Sequence, residues 1–127
     1  MPELATIHHV KIPVSDVRAS TEWYLRVLGL EVAIEFTEDG ELRGVALKAP
    51  NGTASIALRH DPERAAALSG FDLVALGVPT RDGVHAWADH LAAIEEKHGG
   101  IVTGHRGGAV LVGLHDPDGI ELRLYAD

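Results

Sequence analysis

The stretch Ile7-His8-His9-Val10-Lys11-Ile12-Pro13-Val14-Ser15-Asp16 decides how the chain is read, because its pattern returns in the second half. Its alternation predicts a strand over 7–14 with Val10, Ile12 and Val14 on one face. Ser15 is expected to cap a helix, with Asp16 favourably placed at the helix's positive end. Val17, Thr21, Tyr24, Val27 and Leu28 then fall at helical spacing, and Gly29 can end the helix in a left-handed conformation. Beyond it, three strand-like runs are predicted at about 31–37, 42–49 and 54–59. Asp39-Gly40 and Asn51-Gly52 separate them, pairs that readily supply the positive φ of tight hairpins. The first half therefore reads β-α-β-β-β.

The same grammar follows a short helical connector at about 61–70. Phe71 to Val78 reads as a strand, and about 82–98 as a helix closed by Gly99-Gly100. Strands near 101–105, 109–115 and 120–125 complete the unit, the last preceded by the turn Asp116-Pro117-Asp118-Gly119. A shift of 64 residues lays Val10, Ile12, Val14 and Trp23 on Val74, Leu76, Val78 and Trp87. Apolar coincidences are common, but the chain has only two tryptophans, which gives their match weight as a sign of duplication. The expected organisation is one domain over 1–127, with module one at about 4–60 and module two at about 71–127.

Composition narrows the function. With 127 residues, 46% hydrophobic and 24% charged, the chain has an ordinary globular make-up. A formal charge of −8 argues against a nucleic-acid partner, which needs a basic face. The excess acid at Glu31, Glu35, Glu38, Asp39 and Glu41 reads as a solvated edge. Lack of cysteine removes disulfides and thiolate chemistry and suggests a cytoplasmic setting. Neither a signal peptide nor a bilayer-spanning apolar run is evident, so no membrane partner is expected.

Several motifs, in this order, carry a resemblance. They are His9-Val10-Lys11-Ile12-Pro13-Val14-Ser15-Asp16, Trp23-Tyr24, Leu28-Gly29-Leu30-Glu31-Val32, and Asp116-Pro117-Asp118-Gly119-Ile120-Glu121-Leu122. Together with the duplicated unit they make the chain resemble the vicinal oxygen chelate superfamily, the glyoxalase, bleomycin-resistance and extradiol-dioxygenase group. The resemblance implies an α+β fold, two tandem β-α-β-β-β modules forming a cup-shaped sheet around a small-molecule cavity, helices on the convex side. It also implies homodimers, sometimes with modules exchanged between chains.

Many members hold a divalent metal on four side chains, and that expectation fails here residue by residue. The four positions fall on His9, Ala57, Leu73 and Arg123. Only His9 is a metal ligand; alanine and leucine lack donors, and a guanidinium stays protonated. No cofactor is therefore expected, the exception being a metal site rebuilt from other histidines such as His60 and His115.

Strand parity indicates what would line the cup instead. Ile120, Leu122 and Leu124 share one face of the last strand, and Glu121, Arg123 and Tyr125 the other. The same reasoning places His9, Lys11, Ser55, Ala57, Arg59, Leu73 and Ala75 on the concave side. Such a lining suits a small organic molecule with an anionic or acceptor group, read by an arginine fork, unless Arg123 is paired internally with Glu121 or another acid. The leading expectation is metal-independent small-molecule binding. The alternative is a lyase, isomerase or dioxygenase-type enzyme, with His9, Glu121 or Tyr125 as candidate catalytic groups. Trp23 and Trp87 are read as packing residues, and His90 and His98 as exposed helix residues.

Overall fold

A computed structural model describes residues 1–52 and 55–127. The first module runs β1 (Val10–Val14), α1 (Val17–Leu28), β2 (Glu31–Glu38), β3 (Glu41–Lys48) and β4 (Ser55–His60). Helix α2 (Pro62–Leu68) leads into β5 (Asp72–Gly77), α3 (Arg81–Ala93), β6 (Gly100–Thr103), β7 (Ala109–His115) and β8 (Glu121–Ala126). The strands form two four-stranded sheets, ordered β1-β4-β3-β2 and β5-β8-β7-β6. In each, the first and last strands of the module pair in parallel and the remaining pairs are antiparallel. The α+β class and the doubled module order are thus those the sequence implies, and the two sheets do not hydrogen-bond to each other.

Each sheet buries one face under its own helix. Ile12, Val14, Val45, Leu47, Ile56 and Leu58 are buried with Val17, Trp23, Tyr24, Val27 and Leu28 of α1. In the second module Leu111, Leu114, Leu122 and Leu124 are buried with Val84 and Leu91 of α3. Each fully buried aliphatic side chain contributes roughly 1.5–3 kcal/mol relative to exposure, so this parity fixes the register of both sheets.

Local signals differ from expectation in instructive ways. The cap of α1 is Asp16, whose Oδ1 accepts the Ala19 N–H at 3.1 Å; Ser15 instead donates its N–H to Asp118 Oδ2 at 3.0 Å. Gly29 ends the helix at φ 67, where a side chain would be strained. The strand expected from Ile7 starts at Val10, leaving His9 just ahead of it. The fourth strand's expected start at Ala54 lies outside the described residues. Helix α3 stops at Ala93, not 98, because Glu95 turns to φ 57 and redirects the chain. His98 therefore lies beyond the helix and accepts the Gly100 N–H on Nδ1, while half-buried His90 meets the Val27 carbonyl at 3.0 Å.

Helix α1 also fastens the modules together. Tyr24 is fully buried and donates to Asp116 Oδ2 at 2.8 Å. The other oxygen of Asp116 accepts the N–H groups of Asp118 and Ile120, so the carboxylate organises the turn before β8. Neighbouring Trp23 donates Nε1–H to Glu96 Oε1 at 2.6 Å, and Arg26 approaches the same carboxylate at 3.6 Å. Burial pushes the Asp116 carboxyl above the usual range despite these donors, and burial beside Asp116 raises the Tyr24 hydroxyl.

Candidate functional site

The face of the first sheet turned away from α1 forms a hollow of about 500 Å³. Strand register explains its shape. One row across the sheet runs Ile34, Ala46, Ala57, Lys11, and the next runs Phe36, Gly44, Arg59, Pro13. Gly44, Ala46 and Ala57 form a low floor between taller residues on the edge strands. A Cβ at Gly44 would meet the Leu58 carbonyl oxygen at 2.7 Å, so the strands there approach too closely for any side chain. A third row carries Lys48 opposite Ser55, and His8 and His9 close the hollow from the segment before β1.

Five of the residues expected around the cup therefore meet in this one hollow: His9, Lys11, Ser55, Ala57 and Arg59. Their chemistry is not uniform. Arg59 is occupied at the rim, its Nη2 3.0 Å from Glu38 Oε2. The hydrogen bond from Arg59 holds Glu38 below the ordinary carboxylate range. His9 Nδ1 lies 2.8 Å from His8 Nδ1, with the rings edge to face. Among the described residues no ion pair reaches Lys11 or Lys48.

The remaining expected residues lie on the second module. Arg123 and Tyr125 line a smaller hollow of about 180 Å³ with Val102, Thr103 and His105. Arg123 is held by two acids, its Nε 2.6 Å from Glu121 Oε2 and its Nη1 3.4 Å from Asp72 Oδ2. This is the internal pairing weighed against ligand recognition in the sequence. Glu121 also accepts the Gly113 N–H at 3.1 Å. Gly113, at φ 71, belongs to a bulge in β7 between Leu111 and Leu114, and the carboxylate satisfies the amide that the bulge frees. Burial alone would raise the pKa of Glu121, but hydrogen bonds from Arg123 and Gly113 outweigh it and hold the acid below its usual range. A general base is favoured by the opposite shift.

Leu73 lines neither hollow. A register shift between Asp72 and Val74 gives β5 an extra residue there, and Leu73 packs against the core. Trp23 is buried, and Trp87 packs beside the core with its ring against His90.

The four positions that the family resemblance assigns to metal ligands thus hold one imidazole, an alanine methyl, a half-buried leucine packed against the core and a doubly paired guanidinium. No cluster of three or more His, Asp or Glu side chains suited to a metal occurs among the described residues, His60 and His115 included. This donor set does not fit a divalent metal.

The sequence reading missed much of the hollow's apolar wall, notably Ile34 and Phe36, as well as the floor residues Gly44 and Ala46 and the cation Lys48. The period-two placement of Gly44, Ala46 and Lys48 was the available signal.

Comparison with known proteins follows the architecture. A glyoxylase/bleomycin resistance protein/dioxygenase domain from Frankia sp. EAN1pec superposes with TM-score 0.73 at 21% identity, covering 97% of this chain and 92% of that one. Lactoylglutathione lyase from Agrobacterium tumefaciens gives 0.76 at 17% identity, covering 98% and 95%. The genomically encoded fosfomycin resistance protein FosX from Listeria monocytogenes gives 0.74 at 13% identity, again covering 98% and 95%. Likeness at such identities shows a shared fold. No curated protein matches the sequence significantly. The model of the Glyoxalase/Bleomycin resistance protein/Dioxygenase superfamily matches residues 6–124, and the chain belongs to that superfamily.

Proposed function

We propose that the protein binds a small organic molecule in the hollow of its first sheet without the divalent metal used elsewhere in the superfamily. One observation carries the reading: a small-residue floor opens about 500 Å³ beside apolar walls, while the ligand positions supply one imidazole. Sequestration of a toxic or signalling molecule is the simplest role for such a site. A lyase or isomerase using His9 as base is the second reading, favoured by the paired imidazoles at the hollow's edge.

Homodimer formation belongs to the same proposal. The concave faces are open, and Val32, Ile34, Phe36 and Val102 are exposed on the edge strands β2 and β6. A partner molecule covering them would deepen the hollow. A cytoplasmic setting is proposed from the cysteine-free composition. No helix of the described residues is long and apolar enough to cross a membrane.

Elemental analysis of purified, untagged protein, paired with small-molecule binding to the native chain and Ala57→Leu, tests the reading. The expected result is no stoichiometric transition metal, with binding lost when leucine fills the floor. A tightly held metal at one equivalent would overturn the metal-free site, and binding indifferent to Ala57→Leu would remove the hollow from the function.

A further inference from the structure

We infer that the ligand is a monocarboxylate with an aromatic or branched apolar body, and that Lys11 is the residue that reads its acid group. The inference rests on the hollow being the binding site and adds the ligand's chemistry to it. The two arginines expected to serve as anion forks are already engaged, Arg59 by Glu38 and Arg123 by Glu121 and Asp72. That leaves the lysines. Lys48 stands directly opposite Glu31 in the β2–β3 pair, so a carboxylate on the protein itself shares its surroundings. Lys11 stands opposite Ala57 on the edge strand β1, which pairs with β4, and among the described residues no acid faces it across the sheet.

The apolar half of the ligand follows from the same register. The row that ends in Lys11 begins with Ile34 and crosses only the methyl groups of Ala46 and Ala57. Phe36 stands one row along, beside the vacancy over Gly44. A flat or branched body resting on this floor would meet Ile34 and Phe36 at one end and place its acid near Lys11 at the other. The aliphatic stem of Lys11 extends the apolar surface up to its charged tip. One point charge with no acid opposite it in the register suits a single carboxylate; a phosphate or dicarboxylate would call for the multiple or bidentate donors that the arginines here no longer offer.

Titration of the full-length protein with naphthoate and its neutral isostere naphthamide, followed by ligand fluorescence, tests this. The carboxylate is expected to bind about 10-fold tighter at low salt, the scale of one charge-assisted hydrogen bond to a partly exposed group. Added salt should erode that preference through screening. Lys11→Gln and Lys11→Met should abolish the preference for the carboxylate over the amide, Lys11→Arg should restore most of it, and Lys48→Gln should keep it. Persistence of the preference in both neutral Lys11 variants overturns the role of Lys11 while leaving the hollow as the site. Failure of naphthoate to bind, or equal affinity for the two probes, overturns the acid-ligand assignment. Binding of both probes undiminished by Ala57→Leu marks the separate failure of the hollow itself.

Discussion

The two modules share a backbone plan and invert its chemistry. In the first, the parallel pair at one edge of the sheet sets Lys11 against Ala57; in the second, the corresponding pair sets Ala75 against Arg123. The cation has changed strands, and its fate has changed with it. Lys11 faces an open floor, while Arg123 is held among Glu121, Asp72 and Tyr125 beside a bulge. Both modules hold the buried face in place, where a slip would expose the core, and differ on the opposite face. The first sheet carries the larger hollow; the second engages the acids and the arginine of its polar face with one another.

Breaking the bracing should have the largest effect. Asp116→Ala strands the buried Tyr24 hydroxyl and two turn amides, and is expected to cost about 3–5 kcal/mol in urea-denaturation measurements. A loss below about 1 kcal/mol would mean that α1 does not hold the second module through this carboxylate. Next comes Glu121→Gln, expected to cost about 1.5–3 kcal/mol at neutral pH by weakening the hold on Arg123 and the bulge amide. Because folding lowers the pKa of Glu121, its contribution is complete above the ordinary glutamate value of 4.5 and fades as pH falls through the folded-state value. The gap between native protein and variant should therefore close in acid; a gap that widens there would contradict the bracing role.

Gly44→Ala probes the other module. Its added methyl meets the Leu58 carbonyl, so a loss of about 1–2 kcal/mol is expected, with a parallel loss of ligand affinity. Stability lost with affinity untouched would separate strand spacing from the hollow. The smallest effect is reserved for Arg59→Gln at the exposed rim, where thermal melting should barely move and affinity for an acidic probe should stay within a small factor. A large loss of that affinity would return Arg59 to the role assigned here to Lys11.

Legibility in the sequence followed the range of the interactions involved. Gly29, Asp39-Gly40 and Gly119 mark turns through local φ preferences, and each stands at positive φ. The buried faces of β1, β4 and β8 were readable from alternation, since Ile12, Val14, Ile56, Leu58, Leu122 and Leu124 are all core. Elements fixed by distant contacts were not readable. The end of α3 hangs on a turn at Glu95 that apolar spacing cannot report, and the insertion at Leu73 appears only when β5 meets β8. An isolated glycine in a strand pattern is a bulge signal, so Gly113 could have been flagged. The engagement of Arg59 by Glu38 joins two strands of one sheet and has no signature in either strand alone.

The small-residue floor has a consequence for how such proteins change. Ile56 and Leu58 face the helix while Ala57 between them faces the hollow, so neighbouring residues answer to different selective demands. A substitution at Ala46 or Ala57 can redraw the hollow's outline without altering any residue that holds α1 to its sheet. Such a scaffold can explore new ligands in single steps, each nearly neutral for folding, which is one physical route by which a single fold comes to serve many chemistries.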